Sequence, residues 1–257
     1  MTDAGHMLRL GLAVLLVGTA TAEAQSGRDS RSSLEPPFAI WDAEIGEPVS
    51  IIPEINVNEL ACGTNGGPYS LPLEEAEDFA TCPPEDSGLH EVHFSYDDEL
   101  DYIARAMNSE YDVLRDGTTV FSHPVMVSVL VDDEGIIQGQ RILTDPRVPQ
   151  RERRRAVTLM RNFEARYADW NLECEDLPLD EGEMKVGNVF TKRVCTGTSP
   201  DGEINLRLDA RYLRKEGQIA VNPETRELNS TYFESFTRLE MLAAPYKPTP
   251  PPVRGAR

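Results

Sequence analysis

The sequence predicts an α+β fold: a mainly antiparallel sheet packed by one long helix, with an extended acidic N-terminal arm ahead of it. Three observations carry this reading. Alternating apolar runs recur between residues 89 and 242, the stretch 149–170 switches to helical spacing, and negative charge is concentrated before both. With 257 residues, 40% of them hydrophobic, the chain suits one domain of ordinary size with an appendage.

The first element is a signal peptide over 1–24. Arg9 precedes the apolar run Leu10 to Val17, and Ala22-Glu23-Ala24 is the small-x-small pattern a signal peptidase reads, so cleavage is expected after Ala24. Met7 is a better start than Met1, because Asp3 weakens a positive leader. About ten apolar residues fall short of the roughly twenty that cross a bilayer as a helix, so no membrane span is expected after cleavage. The mature protein is therefore placed in the periplasm or secreted space.

Residues 25–88 form the acidic, loop-rich arm. Residues 25–104 carry 18 acidic side chains against Arg28 and Arg31, whereas 105–257 carry 24 acidic and 22 basic ones. Such a surface repels phosphates, which argues against nucleic acid as a partner. Phe38 to Trp41 and Val49 to Ile52 are small apolar islands in a polar chain. Cys62, Cys82, Cys174 and Cys195 are even in number in an exported chain, and local pairing predicts Cys62–Cys82 and Cys174–Cys195. Each closure contributes about 3 kcal/mol by restricting the unfolded chain. Gly63, Gly66, Gly67, Pro68, Pro72, Pro83 and Pro84 make the first closure a stapled loop.

The α+β domain is expected over 89–244. Residues 89–96 alternate as a strand with His90, Val92, Phe94 and Tyr96 on one face, and Asp97-Asp98-Glu99 opens a helix to about Glu110. Val125, Val127, Val129 and Val131 alternate with Met126, Ser128 and Leu130, which predicts a central strand covered on both faces. Asp132-Asp133-Glu134-Gly135 turns it, and Ile136 to Leu143 returns. The long helix follows, with Ala156, Leu159, Met160, Phe163, Tyr167 and Trp170 on its apolar face. Strands are expected at 186–196, 205–214 and 231–242, and a Pro-rich tail at 245–257.

The run Val127 to Gly135, the returning Arg141-Ile142 and the helix that follows resemble the strand–turn–strand–helix of the TonB and TolA C-terminal domains. The resemblance implies shape alone. The chain departs from that family in keeping no anchor and no long Pro-rich spacer ahead of the domain.

Candidate chemistry is sparse. His90 and His93 stand three apart on a strand and point to opposite faces, so they cannot grip one ion, and His123 precedes Pro124 without an evident partner. Asp97 to Asp101 and Asp132 to Gly135 lack the calcium-loop pattern, and no Cys-x-x-Cys, Gly-x-Ser-x-Gly or phosphate-cradling glycine motif is present. No metal or cofactor is expected. Arg147, Arg151, Arg153, Arg154 and Arg155 crowd the start of the long helix, where the dipole disfavours cations. Arg147, Arg151, Arg154 and Arg155 are therefore the candidate contacts for an acidic partner, an anion or the chain's own arm. Part of residues 35–101 is expected to pack across this arginine face, anchored by Trp41, Ile51 and Ile52. The leading expectation is a non-enzymatic exported protein that binds another envelope or secreted protein through its arm and sheet edge. The alternative is a hydrolase of carbohydrate or peptide without a signature. A pocket with converging carboxylates or a histidine–carboxylate pair would favour that alternative.

Overall fold

A computed structural model describes residues 38–54, 57, 59–96, 118–147, 156–217, 220–221, 228–229 and 233–251. The chain divides into Met1–Glu35 and Pro36–Arg257, and every described residue belongs to the second unit. The signal peptide, the 97–110 helix and Arg151, Arg153, Arg154 and Arg155 lie outside the described residues.

Strands dominate. They are β1 Glu59–Cys62, β2 His90–Ser95, β3 Thr119–Val120, β4 His123–Val131, β5 Ile137–Thr144, β6 Glu173–Asp176 and β7 Glu183–Met184. After these come β8 Thr191–Thr198, β9 Ile204–Lys215, β10 Ala220–Val221, β11 Leu228–Asn229 and β12 Glu234–Ala243, while α1 Ala156–Arg166 stands between β5 and β6. The main sheet runs β1-β2-β4-β5-β12-β9-β8-β6, all pairs antiparallel, with β3 on β4 and β7 on β9. The mainly antiparallel sheet is thus present. Among the described residues a long packing helix is not: α1 covers 11 residues there, and past Arg166 the chain turns, reaching Asn171 with φ +51°.

One face of the sheet holds the main core. Val92, Phe94, Val125, Val127, Val129, Ile142, Leu208 and Leu239 alternate onto it and meet Leu159, Met160, Phe163 and Tyr167 of α1. The apolar islands of the N-terminal segment fill the rest, with Ile40, Ala43, Val49 and Ile52 buried. Gln140 Nε2 donates to Ile40 O at 3.0 Å and Ala43 O at 2.7 Å, which holds this irregular backbone without a strand. Trp41 receives the Arg166 guanidinium 4.2 Å above its ring. Ile51 is partly exposed.

β4 is buried on both faces from Val125 to Val131. Its turn to β5 follows from Asp132, whose Oδ1 accepts the Glu134 and Ile136 amides and whose Oδ2 accepts Gln138 Nε2. The strand expected at 186–196 begins only at Thr191. Val186 and Val189 close a tight turn on each other around Gly187 at φ +63°, so this apolar spacing belongs to a bend.

The second face mixes charged residues with a small apolar cluster of Leu89, Leu130 and Leu242, and it is also covered. Residues 63–66, Glu85 and Leu89 lie over it together with Tyr246 and Thr249 of the tail, while Leu73, Ala76 and Phe79 between them pack with the main core, and the disulfide Cys62–Cys82 ties both ends of the stapled loop together with Cα atoms 5.2 Å apart. Packing there is tight at Gly139, where an added Cβ would meet Met241 O at 2.6 Å and the Leu242 side chain. Gly139→Ala should cost about 1–3 kcal/mol in urea denaturation, because β5 and β12 must separate to accept one methyl group.

Candidate functional site

Alternation along paired strands places one residue from each strand in a single row on the second face. His93, Ser128, Arg141, Glu240, Arg207, Thr196 and Glu173 stand opposite one another from β2 across to β6. Arg141 is the centre of this row and only 1% exposed. Its Nε donates to Glu240 Oε2 at 2.7 Å, Nη1 to Glu85 Oε1 and Glu91 Oε2 at 2.8 Å each, and Nη2 to Glu85 Oε2 at 2.9 Å. Three carboxylates therefore converge on one guanidinium.

A second arginine closes the cluster. Arg238 pairs with Glu240 Oε2, donates from Nη2 to Asn65 Oδ1 at 2.9 Å and from Nη1 to Thr249 O at 2.8 Å. The Asn65 amide donates to Glu91 Oε2 at 2.5 Å and the Thr249 amide to Glu240 Oε1 at 3.1 Å. Gly63 lets the loop cross here, since a Cβ at that position would lie 2.6 Å from Glu91 Oε2. The cluster thus fastens loop and tail to the sheet.

Burial raises the Glu85 carboxyl above its ordinary range, which the hydrogen bonds from Arg141 offset only in part. At Glu91 burial also pushes upward, but the Arg141 charge with the Asn65 and Ser128 hydrogen bonds outweighs it and holds this carboxyl below its ordinary value. Chemically the carboxylates are occupied: each is held by an arginine, and Glu91 and Glu240 also accept a loop or tail amide, while Glu85 keeps 20% of its side chain exposed.

Beside it, Glu59 and Tyr69 approach His93. The Tyr69 hydroxyl donates to Glu59 Oε1 at 2.6 Å, and its ring stacks on the His93 imidazole with centroids 5.1 Å apart. Tyr69 titrates above its ordinary value, first because of that hydrogen bond. His90 points the other way, with Nδ1 2.6 Å from Cys82 O and Nε2 3.2 Å from Asp133 Oδ1. The two imidazoles are thus separated. His123 finds partners in Phe121 O and Thr158 Oγ1.

Of the predicted arginine contacts, Arg147 is described. It grips Asp145 through Nε and Nη2 at 2.9–3.1 Å and lies 6.0 Å from the Tyr69 ring centre. Glu164, Cys174 and Cys195 bring ligand-type atoms together, but the two sulfurs are bonded to each other and offer no thiolate.

The two edges of the sheet differ. Along β1 the outer groups are taken, with Cys62 N–H donating to Leu71 O, Leu73 N–H to Leu60 O and Ser70 N–H to Cys62 O. Along β6 all four residues are exposed. Cys174 and Cys195 face each other with Cα atoms 4.0 Å apart, the spacing of a non-hydrogen-bonded pair, so the main-chain groups of Cys174 and Asp176 point outward. Asp176 pairs with Arg193 at 2.7 Å, while Glu173 and Glu175 have no ionic partner among the described residues. Glu173 also borders an open cleft with Asn171, Thr196, Asn205, Arg207 and Lys247.

Sequence reasoning passed over Arg141, Arg238 and Glu240 as functional candidates. Their signal is a charged residue embedded in an apolar strand, as in Arg141-Ile142-Leu143 and Arg238-Leu239-Glu240-Met241-Leu242. No family model, curated protein or solved structure matches the chain. No described helix is long and apolar enough to cross a membrane.

Removal of Arg141 leaves Glu91 buried without its ionic partner and Glu240 with Arg238 alone. Arg141→Met should therefore cost about 3–5 kcal/mol in denaturant unfolding. Glu91 sets an acid limit as well: its stabilisation is full above the ordinary value of 4.5 and is lost as pH falls through its lowered folded value. Glu85 acts oppositely, favouring the fold as pH falls from above towards 4.5. Stability measured from pH 7 to 3 should decline on the acid side of 4.5, and Glu91→Gln should flatten that decline.

Proposed function

We propose that this is an exported, non-enzymatic binding protein whose open β6 edge takes an extended segment of an envelope or secreted partner. The observation that carries the reading is the contrast between edges: β1 is covered by its own chain, whereas β6 turns the main-chain groups of Cys174 and Asp176 outward. An added strand would satisfy those groups, and this is a general mode of peptide recognition. The Cys174–Cys195 disulfide fastens the receiving strand to β8, so little order is lost on docking. Glu173 and Glu175 favour a basic segment, because opposite charges across a strand pair attract and like charges repel. The same charges discourage pairing of two copies edge to edge.

Two disulfides suit an oxidising compartment, which supports the export reading made from the leader. A hydrolase reading gains little from the second face. Its converging carboxylates are consumed by Arg141 and Arg238, and the His93 ring is buried beneath Tyr69.

A photo-crosslinking residue at position 175, introduced into the full chain in its native host, should label a discrete partner, while one at exposed Leu71 should not. Glu173→Lys combined with Glu175→Lys should lower recovery of that partner at least about tenfold, equivalent to about 1.4 kcal/mol. Equal labelling from position 71, or recovery untouched by the double reversal, would overturn this assignment.

A further inference from the structure

His93 and Glu59 present an arrangement that lacks a proton. His93 Nδ1 lies 2.7 Å from Val127 O, and a carbonyl only accepts, so Nδ1 carries the hydrogen and the neutral ring keeps its lone pair on Nε2. That lone pair faces Glu59 Oε2 across 4.0 Å. Both atoms are buried and neither has a hydrogen-bond partner. Two buried acceptor atoms facing each other are costly, and one added proton removes both deficits.

We propose that His93 and Glu59 form a proton-operated latch, in which uptake of a proton on Nε2 creates an imidazolium–carboxylate bond that draws β1 and the Tyr69 loop onto β2. The geometry supports this from each side. Glu59 belongs to β1 and stands opposite Ser95, and Tyr69 holds its other oxygen while stacking on the imidazole. The pull on Glu59 therefore reaches both the edge strand and the stapled loop.

The charged groups facing His93 act in both directions. Burial is the largest influence and lowers its pKa, Glu59 from β1 and Glu91 from its own strand oppose that, and Arg147 after β5 adds to the lowering. The proton is consequently taken up below the ordinary value of 6.5. Above 6.5 the contribution of neutral His93 to stability is complete. Between 6.5 and the folded value the unfolded chain holds more protons, so global stability falls as the latch is approached. Global stability and local closure therefore move in opposite directions, and this separates a latch from a merely buried histidine.

Imidazole nitrogen NMR of the full mature chain tests the proposal. At pH 7.5 His93 should show the hydrogen on Nδ1, and on acidification Nε2 should protonate with a midpoint below 6.5, with the Glu59 carboxyl carbon shifting at the same midpoint. Glu59→Gln, which keeps shape and removes charge, should lower the His93 midpoint by about one pH unit or more. Intrinsic-rate-corrected amide exchange at Ala61 and Gly63, whose N–H groups face β2, should slow relative to Val129 in the protonated state of the wild-type chain. A hydrogen on Nε2 at pH 7.5, a midpoint unmoved by Glu59→Gln, no titration before acid unfolding, or unchanged protection of β1 would each overturn the latch.

Discussion

A guanidinium buried beneath irregular chain is the constraint around which the rest of this structure is arranged. Arg141 stands at the middle of the sheet with almost no exposure, and a charge taken from water survives only where nearly every hydrogen finds an acceptor. A helix laid over that face would offer few free acceptors or amides, because its own backbone groups are spent internally. Loop and tail backbone can supply them, as the Asn65 amide and the Thr249 carbonyl and amide do. The division of the molecule into a helix-covered face and a loop-covered face follows from this difference in available hydrogen bonds.

The disulfide between Cys62 and Cys82 is a consequence of the same arrangement. Irregular chain adds no continuous ladder to a sheet, so restricting its unfolded freedom helps to hold it there beside the few apolar anchors Leu73, Ala76, Phe79 and Leu89. Closing the loop also brings residues 70–73 alongside β1 and removes that edge from solvent. Among the described residues the opposite edge has no such cover. Its disulfide lies within the sheet, holding β6 to β8, and leaves the outer side free. One fold thus handles its two sheet edges by different means, and the difference is what gives the binding reading its location.

Much of the fold was legible in the residues. The β4–β5 hairpin follows from alternating valines and an acidic-Gly turn, and β9 from Leu206, Leu208 and Ala210 alternating against Arg207 and Asp209. Local spacing of the cysteines led to the same pairs that the geometry shows. The start of β8 was misjudged because the apolar pair Val186 and Val189 looks like strand, whereas Gly187 makes it a turn. The helix was expected longer than α1 because Tyr167 and Trp170 continue its apolar face. After Arg166 these rings stay packed on each other, 4.8 Å apart, while the backbone leaves the helix.

The candidate sites were less legible, for a reason that particular residues make plain. By itself the sequence determined alternation, turn chemistry, charge balance and cysteine spacing, all of which act between near neighbours in the chain. It could mark Arg141, Glu240 and Glu85 as charged but could not bring them together, since 99 and 56 positions separate Arg141 from the other two. Only the tertiary structure decided which face each strand turned to the core and which edge remained open. Those outcomes depend on register, and a shift of one residue would have sent Arg141 and Glu240 into the apolar core and Ile142 and Leu239 beneath the loop.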